Sequence, residues 1–525
     1  MVTATFHLQH DEEKALWDLL HYHNLKQETN ADRDRYYRAK NVLKSLGIAI
    51  PVELEGINVV LGWPYKAVTA LAKRCVLTGF ATPSGSDLGL ERIMYDSDLE
   101  VGAAIAHNGS ARYGCHLAFV TPGEEQGDGV RVWLRPATHA TARWDYRRHA
   151  PRSAMSIQDN DPITGLPREL NLYLPGKIVR LTQSSTGWIP ERFPQRYPGV
   201  PVVPLRHEPD DEHPFGTSRI TKPVMALTDS AMRTWARSEI AAEFFSAPQR
   251  YLINASRDVF ADDNTGELRS QWESIIGRIW AIPPSDNPDD PDIQVGQFAA
   301  ASQQPHMDQL RQIASLLAAE ISIPAEMLGV KQDANPSSEG ALEVLERPLV
   351  TAARDAIRTF GVDWRRVAML AIQIRDDLDT PGEELLSIRP TWMDPAMPSA
   401  TQAAAAVTQQ VTAGILPADS DIALERLGYT RPEIDRIREH RATAAPSDVA
   451  RLTDVLSRTQ PDPQAAPPNA DGLKVQFEAL GQAIRAGVDP QEAAERVGLH
   501  GLSFTGAVPV SLRLPEQQAQ ALEDQ

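Results

Sequence analysis

The apolar residues Ile220, Val224, Leu227, Ala231, Trp235 and Ile240 recur between Thr217 and Ala247 at gaps of three to five, the spacing that lines one side of a helix. Thr217 or Ser218 is placed to cap its start and Pro248 to end it. At a rise of about 1.5 Å per residue, a helix of roughly thirty residues reaches about 45 Å, a rod suited to a wall or a strut. A second helix is predicted over Met307–Glu320, with Leu310, Ile313, Leu316 and Leu317 on one side, and it stops before Pro324. A third opens at Ser337-Ser-Glu-Gly-Ala-Leu342, capped by Ser337 or Ser338. Its stripe is Leu342, Leu345, Leu349, Ala352, Ala356, Phe360, Trp364, Val367 and Leu370, and Pro348 and Gly361 are expected to kink or segment it.

Between the first two rods, Gln249–Pro305 reads as a small α/β insertion. It has a strand at Arg250–Asn254, a helix at Leu268–Trp280, an acidic turn at Asn287–Asp292 and a closing strand at Ile293–Phe298. Between the second and third lie Ala325–Gly329 and a polar loop, Val330–Pro336. Ahead of the rods, Asp11–Ala39 is an amphipathic helical start, Gly56–Gly79 holds a buried helix flanked by extended pieces, and Leu99–His107 is another helix. From Ser110 the pattern turns to strands: Tyr113–Val120, Val130–Leu134, Ala140–Tyr146, Arg168–Leu174 and Lys177–Gln183. Residues 110–205 are therefore expected to form a mostly antiparallel β-rich unit, with turns at Glu125–Gly129 and Pro175-Gly176, a proline-broken strand at Pro198–Leu205, and Trp133, Trp144 and Tyr146 in its core.

After the rods, Ile388–Trp392 is strand-like and Pro398 begins an alanine-rich helix carrying Val407 and Val411. Ala413-Gly-Ile-Leu-Pro417 leads into Ala423–Gly428, and the same grammar returns as Ala486–Pro490 leading into Ala493–Gly498, a local repeat rather than a solenoid. Thr443–Pro468, rich in Ala, Pro, Asp and Ser, reads as a flexible tether.

A chain of 525 residues is too long for one ordinary core and points to about three or four units. No apolar run approaches the roughly twenty residues that cross a bilayer, and the start lacks a basic region followed by an apolar one, so a soluble, cytosolic chain is expected. Cys75 and Cys115, with no CxxC spacing, read as reduced buried thiols. The formal charge of −18 argues against tight wrapping of nucleic acid, yet an acidic surface lets a polyanion slide past without sticking. No GxxxxGK[ST], GxSxG or HExxH occurs. The His10-Asp11 pair reads as a capping or surface pair. In His207-Glu-Pro-Asp-Asp-Glu-His213, two histidines and four carboxylates have the chemistry to hold a divalent metal, but no helix spaces them and two prolines stiffen the loop; a solvated acidic loop is the expectation.

The order of a β-rich region, Pro201-Val-Val-Pro-Leu205, Pro214-Phe-Gly-Thr-Ser218, Leu227-Thr-Asp-Ser-Ala231, Glu243-Phe-Phe-Ser-Ala-Pro-Gln-Arg250, Ile323-Pro-Ala-Glu-Met-Leu-Gly329 and Ser338-Glu-Gly-Ala-Leu342 resembles the portal proteins of long-tailed bacteriophages over about residues 30–440. The resemblance implies an α+β, helix-rich portal fold. It places N-terminal helices and a β-rich wing over 1–216, a first stem helix over 217–250, a clip over 251–305 and a second stem helix over 306–328. A tunnel loop then spans 329–340, a long wing helix with a return strand 341–397, and a helical crown 398–442; the segment 443–525 departs from the shared pattern. It further implies a ring, a homo-oligomer of twelve copies at one capsid vertex of a virion assembled in the host cytoplasm. Double-stranded DNA would pass through it, driven by a terminase large subunit. Major capsid, scaffolding and head-completion or adaptor proteins would be its other partners. On this reading no cofactor, metal or membrane is involved, and Lys331, Gln332, Asp333 and Asn335 of the tunnel loop lie near the DNA. The competing readings are a metal-dependent nuclease using His207–His213 and a minor head protein that forms no ring.

Overall fold

A computed structural model describes residues 8–41, 59–83, 85–123, 129–184, 187–246, 250–254, 294–297, 302–330, 339–396, 398, 400–429, 433–441, 480, 490–496 and 499. The chain divides into two units, Met1–Ser399 and Ala400–Gln525.

In the first unit, helix α1 (His10–Tyr37) carries Leu16 and Leu19 on one face. These pack on Met155, Leu170, Leu172, Leu174, Val179 and Leu181, which line one side of a five-stranded antiparallel meander. Its strands are β4 (Ala140–Asp145), β5 (Ala150–Asn160), β6 (Pro167–Leu174), β7 (Lys177–Ser184) and β8 (Gly187–Pro194). Because side chains alternate along a strand, Tyr173 between Leu172 and Leu174 points to the opposite face. There it meets Phe119 of a three-stranded sheet ordered β3 (Val130–Pro136), β2 (Cys115–Pro122), β9 (Val202–Arg206), with ring centroids 4.7 Å apart. The β-rich expectation holds for the region, divided into two packed sheets. Pro175-Gly176 is the two-residue turn that its letters predict, since Leu174 pairs with Lys177; Glu125–Asp128 lie outside the described residues.

Two expectations for this region do not hold. Tyr146 is not core but 61% exposed; the buried aromatics are Phe119 and Tyr173, with Trp133 stacked on Phe119 at 4.4 Å and Trp144 edge-on to Phe215 at 5.5 Å. Residues 110–113 are not strand. Helix α4 (Leu99–Tyr113) runs through them, the Ser110 hydroxyl folding back on the Ala106 carbonyl at 2.8 Å, and it ends at Gly114. The strands β5 and β8 carry no clean alternation to reveal them. Ser153, Ala154, Met155, Ser156 and Ile157 of β5 are all buried between layers, and β8 is an edge strand that tolerates Pro190.

The larger core gathers around the helices. Helix α2 (Trp63–Ala72) leads into β1 (Leu77–Ala81), and a short α3 (Leu90–Asp96) precedes α4. Helix α5 (Lys222–Ser246) and helix α6 (Gln304–Glu320) pack on each other and are antiparallel, because Ser238 Oγ near the end of α5 donates to Gln303 Oε1 at the start of α6, 2.9 Å away. They bracket a hairpin, β10 (Arg250–Ile253) against β11 (Gln294–Gln297). The predicted helix 268–280 and acidic turn 287–292 of the insertion lie outside the described residues. After a 3-10 turn at Ala325–Leu328, helix α7 (Glu339–Arg375) crosses the unit, and β12 (Arg389–Trp392) returns to pair with β1.

The rods differ from expectation in detail. Helix α5 starts at Lys222 rather than Thr217, with the hydroxyl of Thr221 accepting from the Val224 amide at 3.4 Å, so it is about 37 Å long. Trp235 and Leu316, assigned to buried faces, are 42% and 55% exposed. Helix α7 is not segmented. Pro348 sits on its exposed side, where the missing amide bond costs no buried acceptor, and the helix continues through Gly361.

In the second unit, the alanine-rich helix Ala400–Thr412 buries Val407, and the turn after it leads into Asp421–Arg426, capped by Ser420 Oγ accepting from Ala423 N at 3.2 Å. Of the second copy of the repeat, helix Pro490–Arg496 is described; 443–468 lie outside the described residues. Among the described residues no helix is long and apolar enough to cross a membrane.

Candidate functional site

The two rods hang from one joint, Phe215–Thr221. Gly216 has φ +86°, and a Cβ there would lie 2.3 Å from the His207 carbonyl oxygen and 2.6 Å from that of Gly114. Gly114, at φ +106°, would in turn drive a Cβ to 2.8 Å from the Gly216 oxygen. The crossing of the α4–β2 corner with the β9–α5 connection is thus too close for any side chain. Ser218 Oγ then donates to the Arg112 carbonyl at 2.6 Å and accepts from Ile220 N at 3.0 Å. Buried Arg219 donates through Nε to the Ala67 carbonyl of α2 at 2.7 Å and through Nη2 to the carbonyl of Ile321, the residue that ends α6. That carbonyl is one of the acceptors a helix C-terminus leaves open, and a cation is well placed there. One side chain therefore ties the start of α5, the end of α6 and α2 together.

The polar loop after α6 is held on its near side. Trp63 Nε1 donates to the Leu328 carbonyl at 3.2 Å, pinning the 3-10 turn to the first residue of α2. Lys331, Gln332, Asp333 and Asn335, and the caps Ser337 and Ser338, lie outside the described residues.

Helix α7 is fixed by two buried polar contacts. Asp363, 0% exposed, receives Arg206 of β9 in a fork, Nη2 to Oδ1 at 2.7 Å and Nε to Oδ2 at 3.1 Å, and also the Arg206 amide at 3.0 Å. Burial pushes the Asp363 carboxyl up from its ordinary value, and Arg206 opposes that shift. One residue on in α7 stands Trp364, and through it His107 of α4 is held from both sides. The His107 Nδ1–H donates to the Cys75 carbonyl at 2.8 Å, so its Nε2 is the acceptor for Trp364 Nε1–H, also at 2.8 Å. The ring stacks on Phe360 at 4.4 Å.

This neutral tautomer resists protonation, and burial holds His107 at about 4; burial likewise holds His23 at about 4 and His116 at about 3. In an unfolded chain these rings titrate near 6.5. Between that value and the folded ones the unfolded state binds more protons, so stability is full above about pH 6.5 and falls as the pH drops toward 4. A urea midpoint that declines steadily from pH 7 to pH 5, above the range where carboxylates protonate, is expected; an unchanged midpoint would contradict the buried neutral rings.

The N-terminal helix is stapled to the meander and to the first rod. Glu12, fully buried, lies 2.8 Å from Lys177 Nζ and 2.9 Å from Arg192 Nη2, and its Oε2 accepts the Gln9 amide at 3.0 Å. Burial by itself raises such a carboxyl, but the hydrogen bonds from Arg192 and Lys177 hold it at about 2. Asp11 of the His10-Asp11 pair also binds Lys177, at 2.9 Å, which makes it part of the staple. At the other end, Tyr36 Oη donates to Asp229 Oδ2 of α5 at 2.8 Å and Asn41 Nδ2 to Asp229 Oδ1 at 3.2 Å. Glu12→Gln is expected to cost about 1–3 kcal/mol, because both cations lose their buried partner while keeping some water. Hydrogen exchange that quickens in α1 and not in α7 would support this, and uniform protection in both would not.

The acidic loop does not assemble a metal cage. His207 is fully buried, its Nδ1–H donating to the Thr217 carbonyl at 2.8 Å, whereas His213 is exposed and bonds to Asp210, at 2.9 Å. Among the described residues no group of three or more His, Cys, Asp or Glu side chains is disposed to hold an ion. The residues that fix the rods, Arg219, Asp363, His107 and Trp63, carry no motif that singles them out in the sequence. A carboxylate between Phe360 and Val367, inside an apolar stripe, is the one signal that points to Asp363.

A family model described as "Phage portal protein, SPP1 Gp6-like" matches residues 18–447. The chain is similar to the portal protein of Mycobacterium phage D29, 24% identical over 428 residues, covering 79% of this chain and 84% of the relative. It is similar to the portal protein of Mycobacterium phage L5 to the same degree, 24% over 421 residues, covering 78% and 84%. Among solved structures it resembles a chain of the virion of a native gene transfer agent particle, with 14% identity, a TM-score of 0.39, and coverage of 76% of this chain and 93% of that one.

Proposed function

The chain belongs to the SPP1 Gp6-like family of phage portal proteins, and from that membership we propose that copies of it assemble into a ring at one vertex of a capsid, enclosing a channel for double-stranded DNA. The observation that carries the reading is the antiparallel pair of α5 and α6 closing on the β10–β11 hairpin. Two rods joined at a common base and tipped by a small knob are the parts from which a wall around an axis is made. A heterologous contact whose rotation closes repeats such a unit into a ring. The exposed Trp235 on α5 and Met307 and Leu316 on α6 supply apolar surface for that contact.

In this reading α5 and α6 are the stem and the hairpin belongs to the clip, which meets the terminase during packaging and head-completion proteins afterwards. The loop 329–340, with Lys331, Gln332, Asp333 and Asn335, faces the DNA, and the helices after Ala400 form the crown. The ring has twelve copies, assembles in the host cytoplasm with capsid and scaffolding proteins, and remains in the virion. DNA contact is electrostatic and blind to sequence. The family is a structural one, and the nuclease alternative loses its support because His207 is buried and bonded to the Thr217 carbonyl while His213 is exposed and bonded to Asp210. Native mass spectrometry of the full chain tests the assembly: a closed oligomer of twelve protomers is expected, and a monomer at every concentration, the behaviour of a minor head protein, would count against it.

A further inference from the structure

The outer face of α7 carries a line of arginines. At 100° per residue, Arg347, Arg354, Arg358 and Arg365 fall within about 20° of one line along the helix, and at 1.5 Å per residue the line is about 27 Å long. The buried residues Leu349, Ala356, Phe360 and Val367 occupy the opposite side, so the line looks away from the core. Its carboxylate neighbours are few and exposed. Asp355 lies 3.1 Å from Arg358, and Asp394 3.8 Å from Arg354, pairs of the kind that contribute little in water. Asp363 lies on the buried side and is engaged by Arg206, Glu346 is held by Arg74 at 2.9 Å, and Glu343 stands one turn before the line begins. Arg366 lies beside the line, 3.9 Å from Asp363. In a chain of formal charge −18, a straight basic row, exposed at Arg347, Arg354 and Arg358 and half-buried at Arg365, is a local reversal of sign.

We propose that this row seats the phosphate backbone of duplex DNA, a contact separate from the loop 329–340 and resting on the reading that the assembled chain handles DNA. A polyanion is the complement the charge calls for. Guanidinium forks match phosphate oxygens in a way that lysine does not. The acidic surroundings keep the contact shallow and reversible, since repulsion from the rest of the surface opposes any spread of the bound duplex beyond the row.

The test is fluorescence anisotropy of the full chain with mixed-sequence duplex DNA over a salt series, with native mass measured in parallel. The wild type is expected to bind at low salt and lose affinity as salt rises. The variant Arg347→Gln, Arg354→Gln, Arg358→Gln, Arg365→Gln should bind more weakly, with a log–log salt slope shallower by about 3–4, or about 0.9 for each phosphate that the protein no longer neutralises. A charge-matched control, Arg147→Gln, Arg148→Gln, Arg436→Gln, Arg441→Gln, all at exposed positions, should keep the wild-type slope. Equal slopes in all three proteins, an equal loss in the control, or no wild-type binding at low salt would each overturn the proposal. A row variant that no longer assembles would overturn it too, assigning the row to a contact between copies. Failure of the wild type to assemble is seen in the mass alone and would count against the ring rather than against the row.

Discussion

Replacing Asp363 with alanine is expected to cost the fold about 3–5 kcal/mol, because it strands the Arg206 guanidinium at a site from which water is largely excluded. The pair joins the middle of α7, beside the point where Phe360 and Trp364 enter the core, to the end of β9, from which the chain runs on into the joint that carries both rods. A drop in the urea midpoint with the slope unchanged would report this loss directly. Arg206→Ala should behave alike, since it leaves a buried carboxylate without its cation. Replacing both residues with leucine should recover much of the loss, because the desolvation that the pair must overcome disappears with it. A loss under about 1 kcal/mol in Asp363→Ala would mean that the contact is a surface pair in all but position.

Trp364→Ala should be comparably severe, about 3–5 kcal/mol, the cost of a cavity where the largest fully buried side chain among the described residues stood. The indole also satisfies His107, so Trp364→Phe separates the two effects. It keeps most of the volume and removes the donor, leaving His107 Nε2 a buried acceptor without a partner, at about 1–3 kcal/mol. The expected order of stability is wild type, then phenylalanine, then alanine, read from urea unfolding. Phenylalanine equal to wild type would show that the hydrogen bond contributes nothing to the fold.

The rods and the order of elements were legible in the chain because each rests on a local pattern. Leu310, Ile313 and Leu317 sit at helical spacing and are all buried; the Pro175-Gly176 turn is a two-residue signal; Val407 marks the buried side of its helix. What stayed hidden is decided by tertiary neighbours. Strand β5 is buried on both faces by α1 and the second sheet, and small residues there leave no alternation to read. Trp235 has the right spacing for the core and lies outside it, its Nε1 donating to Glu239 Oε1 at 2.9 Å, because the pattern gives a helix face without naming its partner. The start of α5 lies later than its letters suggest because Gly216 and Ser218 spend their turn chemistry on a crossing with Gly114 and Arg112, which are far away in sequence.

The motif Pro214-Phe-Gly-Thr-Ser218, with Arg219 just beyond it, shows both sides. Its resemblance to a family was visible in the letters. Its reason, a glycine pair touching backbone to backbone and an arginine that closes the end of α6, is visible only in three dimensions. The residues placed by that resemblance at the DNA, Lys331, Gln332, Asp333 and Asn335, follow a turn that Trp63 holds in place, which fixes where the loop departs.

Electron microscopy of the purified full chain, averaged down the symmetry axis, puts the central claim to its most direct trial. Closed rings of identical subunits, with α5 and α6 standing around an opening that admits a duplex, are the expected picture. Isolated globules, or rings whose centre the rods fill, would contradict it.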